Sequence, residues 1–181
     1  MNLSDLNVGL IFGTDTGNTE EIGDKIASVL AEHACPVEMI NVVDASPEII
    51  ESFDMIIMGI PTWDFGGIQE DWEDFEDQIA QTKLTGKIVA LYGLGDQRGY
   101  GDYFIDAVGW LHERVVKVGA TVIGEWPTEG YDFEESLAAN KDKSMFCGLA
   151  IDEDQQLELT DERISGWINL LISQLDQLQA A

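Results

Sequence analysis

The sequence predicts an α/β fold: a doubly wound, five-stranded parallel sheet with helices on both faces and an insertion in the last strand. Two observations carry that expectation. Short apolar runs take turns with longer segments whose apolar residues recur at helical spacing, and this alternation builds parallel sheets. The loops that follow the first, third and fourth apolar runs are rich in glycine, threonine or aromatic residues. In a parallel sheet all three open onto the carboxyl edge of the strands, where ligands bind.

Val8 to Phe12 is the first buried strand, and Glu20 to His33 the first helix, with Ile22, Ile26, Val29 and Leu30 on one face. Val37 to Val43 reads as the second strand. Ser46-Pro47-Glu48 supplies a cap, a Pro at the first helical position and an early acid, so a short helix follows, ending near Phe53. Met55 to Ile60 is apolar throughout, as a strand covered on both faces should be. A third helix places Ile68, Trp72, Phe75 and Ile79 on one side and acids around the rest. Lys87 to Tyr92 is the fourth strand. Phe104, Val108, Leu111, Val115 and Val118 mark the fourth helix. The fifth strand begins at Thr121 to Gly124 and resumes at Phe146 to Ile151, so residues 125–145 read as an insertion. Thr160-Asp161-Glu162 opens a last helix along Ile164, Ile168, Leu171, Leu175 and Leu178. One domain spanning residues 1–181 is expected.

The loop Gly13-Thr14-Asp15-Thr16-Gly17-Asn18-Thr19 joins a strand to a helix N-terminus. The first helical N–H groups lack intrahelical acceptors and the helix dipole adds positive potential, so an anion is favoured there. Thr14, Thr16 and Thr19 add hydroxyl donors. Within this loop no Lys precedes a Ser or Thr, and there is no G-x-G-x-x-G, which argues against a nucleoside triphosphate or a dinucleotide. Taken alone, the loop also suits a plain turn capping a helix.

Lys and Arg number 9 against 35 Asp and Glu, a formal charge of −26, yet 45% of residues are hydrophobic. The acid therefore belongs on the surface of a folded domain, where it repels nucleic acid and anionic membranes and favours basic protein partners. Cys35 and Cys147 are too few and too far apart for a disulfide framework or a CxxC site. Met1 to Asn7 has no signal-peptide character, and no apolar run reaches membrane-spanning length. A soluble, cytoplasmic protein is the expectation.

Together these loops resemble the flavodoxins. Residues 13–19 are similar to that family's FMN-phosphate loop, with its T/S-x-T-G-x-T pattern. Pro61-Thr62-Trp63 resembles the loop that lays an aromatic on one flavin face, and Gly95-Asp96-Gln97-Arg98-Gly99-Tyr100 the loop that supplies the other. Gly130-Tyr131-Asp132-Phe133 and residues 149–154 also match, and the insertion marks the long-chain subclass. The resemblance implies strand order 2-1-3-4-5, a tightly but non-covalently bound FMN, and low-potential one-electron transfer on its semiquinone–hydroquinone couple, without substrate turnover.

It further implies that Thr14, Asp15, Thr16, Gly17, Asn18 and Thr19 hold the phosphate, and that Trp63 and Tyr100 sandwich the ring. Pro61, Thr62, Asp64, Phe65 and Gly66 would contribute from the first ring loop. Gly93, Leu94, Gly95, Asp96, Gly99 and Tyr103 would contribute from the second, with Asp154 near the ribityl chain. Asp64 stands where Asn is frequent, and Tyr103 replaces an Asn expected near the flavin edge. No catalytic residue and no metal ligand is expected. The expected partners are basic redox proteins, a reductase as donor and a low-potential acceptor, with the carrier monomeric and filling a role that ferredoxin otherwise takes. Trp72, Trp110, Trp126 and Trp167 are read as packing residues, and His33 and His112 as surface residues of helices.

Two other functions fit the same sheet. An FMN-dependent NAD(P)H:quinone reductase would need basic residues near the flavin, and Arg98 is the only base in the three loops. A receiver-like phosphoacceptor would need acids after strands one and three and a Lys after strand four. Gly13-Thr14, Pro61-Thr62 and Gly93-Leu94 stand there instead.

Overall fold

The computed structural model describes residues 2–180; the ends of the expected domain, Met1 and Ala181, lie outside the described residues. The main sheet is parallel. Its strands are β1 (Val8–Phe12), β2 (Val37–Asn41), β3 (Met55–Trp63) and β5 (Ile88–Leu94), laid out β2-β1-β3-β5. The fifth position is shared by two short strands, β6 (Thr121–Ile123) and β9 (Leu149–Ile151). β6 pairs with the first half of β5, from Ile88↔Thr121 to Ala90↔Ile123. β9 continues alongside the second half, from Tyr92↔Leu149 to Leu94↔Ile151.

Alternation along β3 divides the core into two layers. Met55 and Ile57 face one side, where α1 (Asn18–Glu32) and α7 (Thr160–Ala180) bring Ile22, Ile26, Leu30, Trp167, Ile168 and Leu171. Ile56, Met58 and Ile60 face the other, against α5 (Asp106–Lys117) and the short helices α3 (Glu70–Asp74) and α4 (Glu76–Gln81). Both faces of the strand are thus covered by helices, as the unbroken apolar run requires.

Several boundaries differ from the sequence reading. The second strand stops at Asn41, whose Oδ1 accepts the Val43 amide and turns residues 42–44 into a 3-10 turn. Ser46 does cap α2 (Pro47–Glu51), accepting the Ile49 amide at 3.3 Å. The third helix is two pieces. Ile68 belongs to β4 (Gly67–Ile68), paired with Thr62 across a tight turn, and the helix breaks at Phe75. Six acids between Glu70 and Asp77 repel along its surface, while Trp72 and Phe75, edge to face at 6.3 Å, pin both pieces to the core.

The fourth helix starts at Asp106 because Ile105 lies at φ 47. Phe104 is left outside it, packed on Tyr131, Phe133 and Phe146. Phe146 is likewise not part of the main sheet. It lies in β8 (Met145–Phe146), antiparallel to β7 (Trp126–Pro127), so the fifth strand resumes only at Leu149. A last short helix, α6 (Glu153–Gln156), has no signal in the apolar periodicity.

Trp72 and Trp167 are fully buried, donating to the Gly59 and Gly124 carbonyls, and Trp126 donates to Tyr131. His33 is exposed at the end of α1, whereas His112 is half-buried and its pKa is held down by that burial. No helix among the described residues is long and apolar enough to cross a membrane.

Candidate functional site

The carboxyl ends of β1, β3 and β5 converge on one cleft of about 310 Å³. Its floor is the loop between β1 and α1. Gly13 donates to the Gly59 carbonyl at 3.2 Å, and Trp72 Nε1 donates to the same oxygen at 3.0 Å. A Cβ on Gly13 would collide with the side chains of Gln69 and Trp72, so only glycine lets the loop leave the strand along this path. Gly17, at φ 90, turns the chain into α1, and its amide donates to Thr14 Oγ1 at 2.9 Å. The Thr14 hydroxyl therefore accepts within the loop and keeps its own proton for a ligand. Tyr92, wholly buried on β5, donates to the Thr19 carbonyl at 2.8 Å and fixes the start of the helix.

Thr14, Asp15, Thr16, Asn18 and Thr19 all line the cleft. So do Pro61, Thr62, Trp63 and Asp64 from the end of β3, and Leu94, Gly95, Asp96 and Tyr100 from the loop after β5. Asp154 closes it from α6, together with Glu153. The Thr62 hydroxyl also accepts the Ala107 amide at 3.0 Å, docking α5 beneath the first ring loop. Trp63 Nε1 is buried without a partner among the described residues.

Six expected residues stand outside the lining. Gly17 and Gly66 shape turns, Gly66 at φ 82 beside Asp64 at φ 43. Gly93 packs against Val108 of α5, and Gly99 donates to Asp96 Oδ1 at 2.7 Å. Phe65 is 76% exposed and stands edge-on to both Tyr100 and Tyr103, each at 5.8 Å. Tyr103 lines a second hollow on the far side of Tyr100.

Carboxylates dominate the electrostatics. Asp15, Asp64, Asp96, Glu153 and Asp154 line the cleft, and no Lys or Arg among the described residues does. Burial pushes the Asp154 carboxyl up, and nearby Asp96 and Asp152 add to that. Burial also raises Glu153, with Lys25 opposing. Burial works to raise Asp96 too, but the Gly99 and Arg98 amides and the Gln155 side chain together hold it below the ordinary range. Asp64, hydrogen-bonded to the Tyr100 phenol, drives that group's pKa up.

Sequence reasoning missed Glu153 and three supporting residues. Gln69, 1% exposed, donates to Asp15 Oδ1 at 3.1 Å while its carbonyl caps α3. Gln97 and Asp152, both buried, join the second ring loop to α6. A polar residue at a helix start was the available signal for Gln69 and Asp152. Gln97 had none beyond its place in the loop.

The arrangement can hold an anion on neutral donors at one end and a planar ring between two aromatic loops at the other. Comparison with known proteins agrees. The flavodoxin family model matches residues 10–167. Flavodoxin 2 of Escherichia coli strain K12 is 46% identical over 170 residues, covering 94% of this chain and 97% of that protein. A flavodoxin of Picosynechococcus sp. is 45% identical over 161 residues, covering 89% and 93%. Among solved structures, Fusobacterium nucleatum flavodoxin bound to flavin mononucleotide matches with a TM-score of 0.84 at 32% identity, covering 95% of this chain and 98% of that one. Its K13G mutant, also bound to flavin mononucleotide, gives 0.85 at 34%, covering 93% and 96%. With the family model spanning most of the chain and relatives this similar over nearly its full length, the chain belongs to the flavodoxin family.

Proposed function

We propose that this chain is a low-potential one-electron carrier of the long-chain kind, working through one tightly, non-covalently bound FMN. The observation that carries the reading is the single cleft that joins a hydroxyl-rich helix N-terminus to two aromatic loops on the same sheet edge. FMN is the ligand whose two ends need those two chemistries. Bound there, the flavin supplies a redox couple that can pass electrons singly.

The chain's own residues set the terms. Thr14, Thr16, Thr19 and the first amides of α1 hold the phosphate without a cation. Trp63 and Tyr100 cover the ring and exclude water. Asp64, Asp96, Glu153 and Asp154 add negative potential that opposes further negative charge in the cleft. The Asp64-Phe65-Gly66 turn offers backbone groups at the ring edge, and Gly66 leaves that turn free to reorient.

The acidic rim of Asp64, Glu70, Asp71, Glu73 and Asp74 steers basic redox proteins toward this edge, and the chain works as a cytoplasmic monomer without turnover of its own. The deciding experiment is an anaerobic redox titration of the FMN-loaded protein. Two resolved one-electron steps, with no NADPH oxidation by the protein alone, support a carrier. A single two-electron step, or NADPH-dependent quinone reduction, would favour the quinone reductase instead.

A further inference from the structure

The loop after β5 is tied down by a side chain that never reaches the cleft. Gln97 lies between Asp96, which lines the cleft, and Arg98, and is only 2% exposed. Its backbone and side-chain amides both donate to Asp152 Oδ2, at 2.9 and 2.8 Å. Asp152 is 1% exposed, and its other oxygen caps α6 by accepting the Asp154 and Gln155 amides at 3.1 and 3.0 Å. One buried carboxylate therefore fixes both the loop carrying Asp96 and Tyr100 and the turn carrying Glu153 and Asp154.

The network continues away from the cleft. Gln97 Nε2 also donates to Gln156 Oε1 at 2.9 Å, and Gln97 Oε1 accepts the Asp132 amide at 2.5 Å. Gln156 Oε1 accepts from Arg163 Nη2 at 2.7 Å, and its Nε2 donates to the Gly130 carbonyl. Arg163, buried on α7, lays its guanidinium 3.9 Å over the Tyr131 ring, and the Tyr131 hydroxyl donates to Ala150 of β9. The Gln97 amide is thus used on both sides, as donor to Asp152 and acceptor from the insertion, so neither Leu nor Glu can replace it.

We propose that buried Gln97, Asp152 and Arg163, linked by half-buried Gln156, form a clamp that preorganises the ring-holding half of the cleft independently of the phosphate loop. The proposal rests on the FMN reading above. The independence follows from the partners: the phosphate loop is braced by Gly59, Gln69, Trp72 and Tyr92, none of which bonds to the clamp. A loop held in its binding geometry loses less entropy when the ring enters. These four are positioning residues; none of them lines the cleft.

The test separates the two halves of the ligand, using riboflavin and inorganic phosphate as probes of the flavin-free full chain. For Gln97→Leu and Arg163→Met, the riboflavin dissociation constant should rise on the order of tenfold, as expected when preorganisation is lost. The phosphate constant should stay within about twofold, since no phosphate-loop bond changes. The visible circular dichroism of bound riboflavin should change as Tyr100 loses its fixed position. If Gln97→Leu does not fold, Gln156→Met, at the half-buried link, decides by the same comparison. Folded variants that bind riboflavin normally, or that lose riboflavin and phosphate equally, overturn the clamp alone. A wild-type chain that binds neither FMN nor riboflavin overturns the cofactor reading and the clamp with it.

Discussion

Thr14→Ala isolates the phosphate loop. The Thr14 hydroxyl accepts the Gly17 amide at 2.9 Å and keeps one proton free to donate. Removing it deletes two interactions that act in different experiments. The bond to Gly17 is neutral and half-buried, and its loss should lower the stability of the flavin-free protein by about 0.5–1.5 kcal/mol. The donation to a charged phosphate is worth roughly 1.5–3 kcal/mol, which weakens FMN binding about ten- to a hundredfold. Riboflavin has no phosphate, so its affinity should move by no more than about threefold, the cost of a looser loop. Quenching of flavin fluorescence on titration gives both constants, and Thr14→Ser should restore FMN binding. Equal losses for FMN and riboflavin would refute the phosphate assignment, and so would a wild-type protein that binds the two equally.

Three further outcomes follow from the same geometry. The Asp64→Asn variant should raise the lower of the two one-electron potentials by tens of millivolts, roughly what one nearby charge of partial screening is worth. It is a cleaner test than Asp96→Asn, because Asp64 sits at φ 43, where Asn is at ease, while Asp96 accepts the Arg98 and Gly99 amides of its own loop and the Gln155 side chain of α6; an unchanged potential would remove Asp64 from the account. Association with a basic redox partner should slow as salt rises beyond roughly 0.1 M, where the Debye length is about 10 Å, and stopped-flow rates flat with salt would count against steering by the acidic rim. In alkali, burial pushes the Tyr131 phenol up to about 12 and carries Tyr92 further still. Both stay neutral in the folded chain while the unfolded chain ionises near pH 10, so their stability is intact below that pH and is lost as pH rises. Each costs about 1.4 kcal/mol per pH unit there, so Tyr131→Phe should lower the slope of stability against pH between 10 and 12, and an unchanged slope would contradict the assignment.

The parts of the molecule that were legible in the sequence are those in which chemistry and position coincide along the chain. Five strands and the three loops of the cleft follow from local patterns: the apolar runs, the Gly and Thr of residues 13–19, Trp63 and Tyr100; the strand order came only from the resemblance. The misreadings fall where a distant contact overrides local preference. Phe104 and Phe146 sit in apolar periodicities, yet each leaves its helix or strand to pack on the other and on Tyr131 and Phe133. Ile68 keeps helical spacing with Trp72 and Phe75 but is claimed by Thr62 across the turn.

The supporting residues of the site were hidden for the same reason. Gln69, Gln97 and Asp152 look like surface polar residues in sequence, because nothing local announces that Asp15 lies 54 positions from Gln69, or Asp152 55 positions from Gln97, across a hydrogen bond. Burying such groups is costly unless every donor and acceptor is met. Their near-zero exposure together with complete pairing is therefore what distinguishes them from ordinary loop residues. The aromatic and hydroxyl groups that touch a ligand can be read from the chain, while the polar groups that hold them still emerge only once the fold has brought their partners into place.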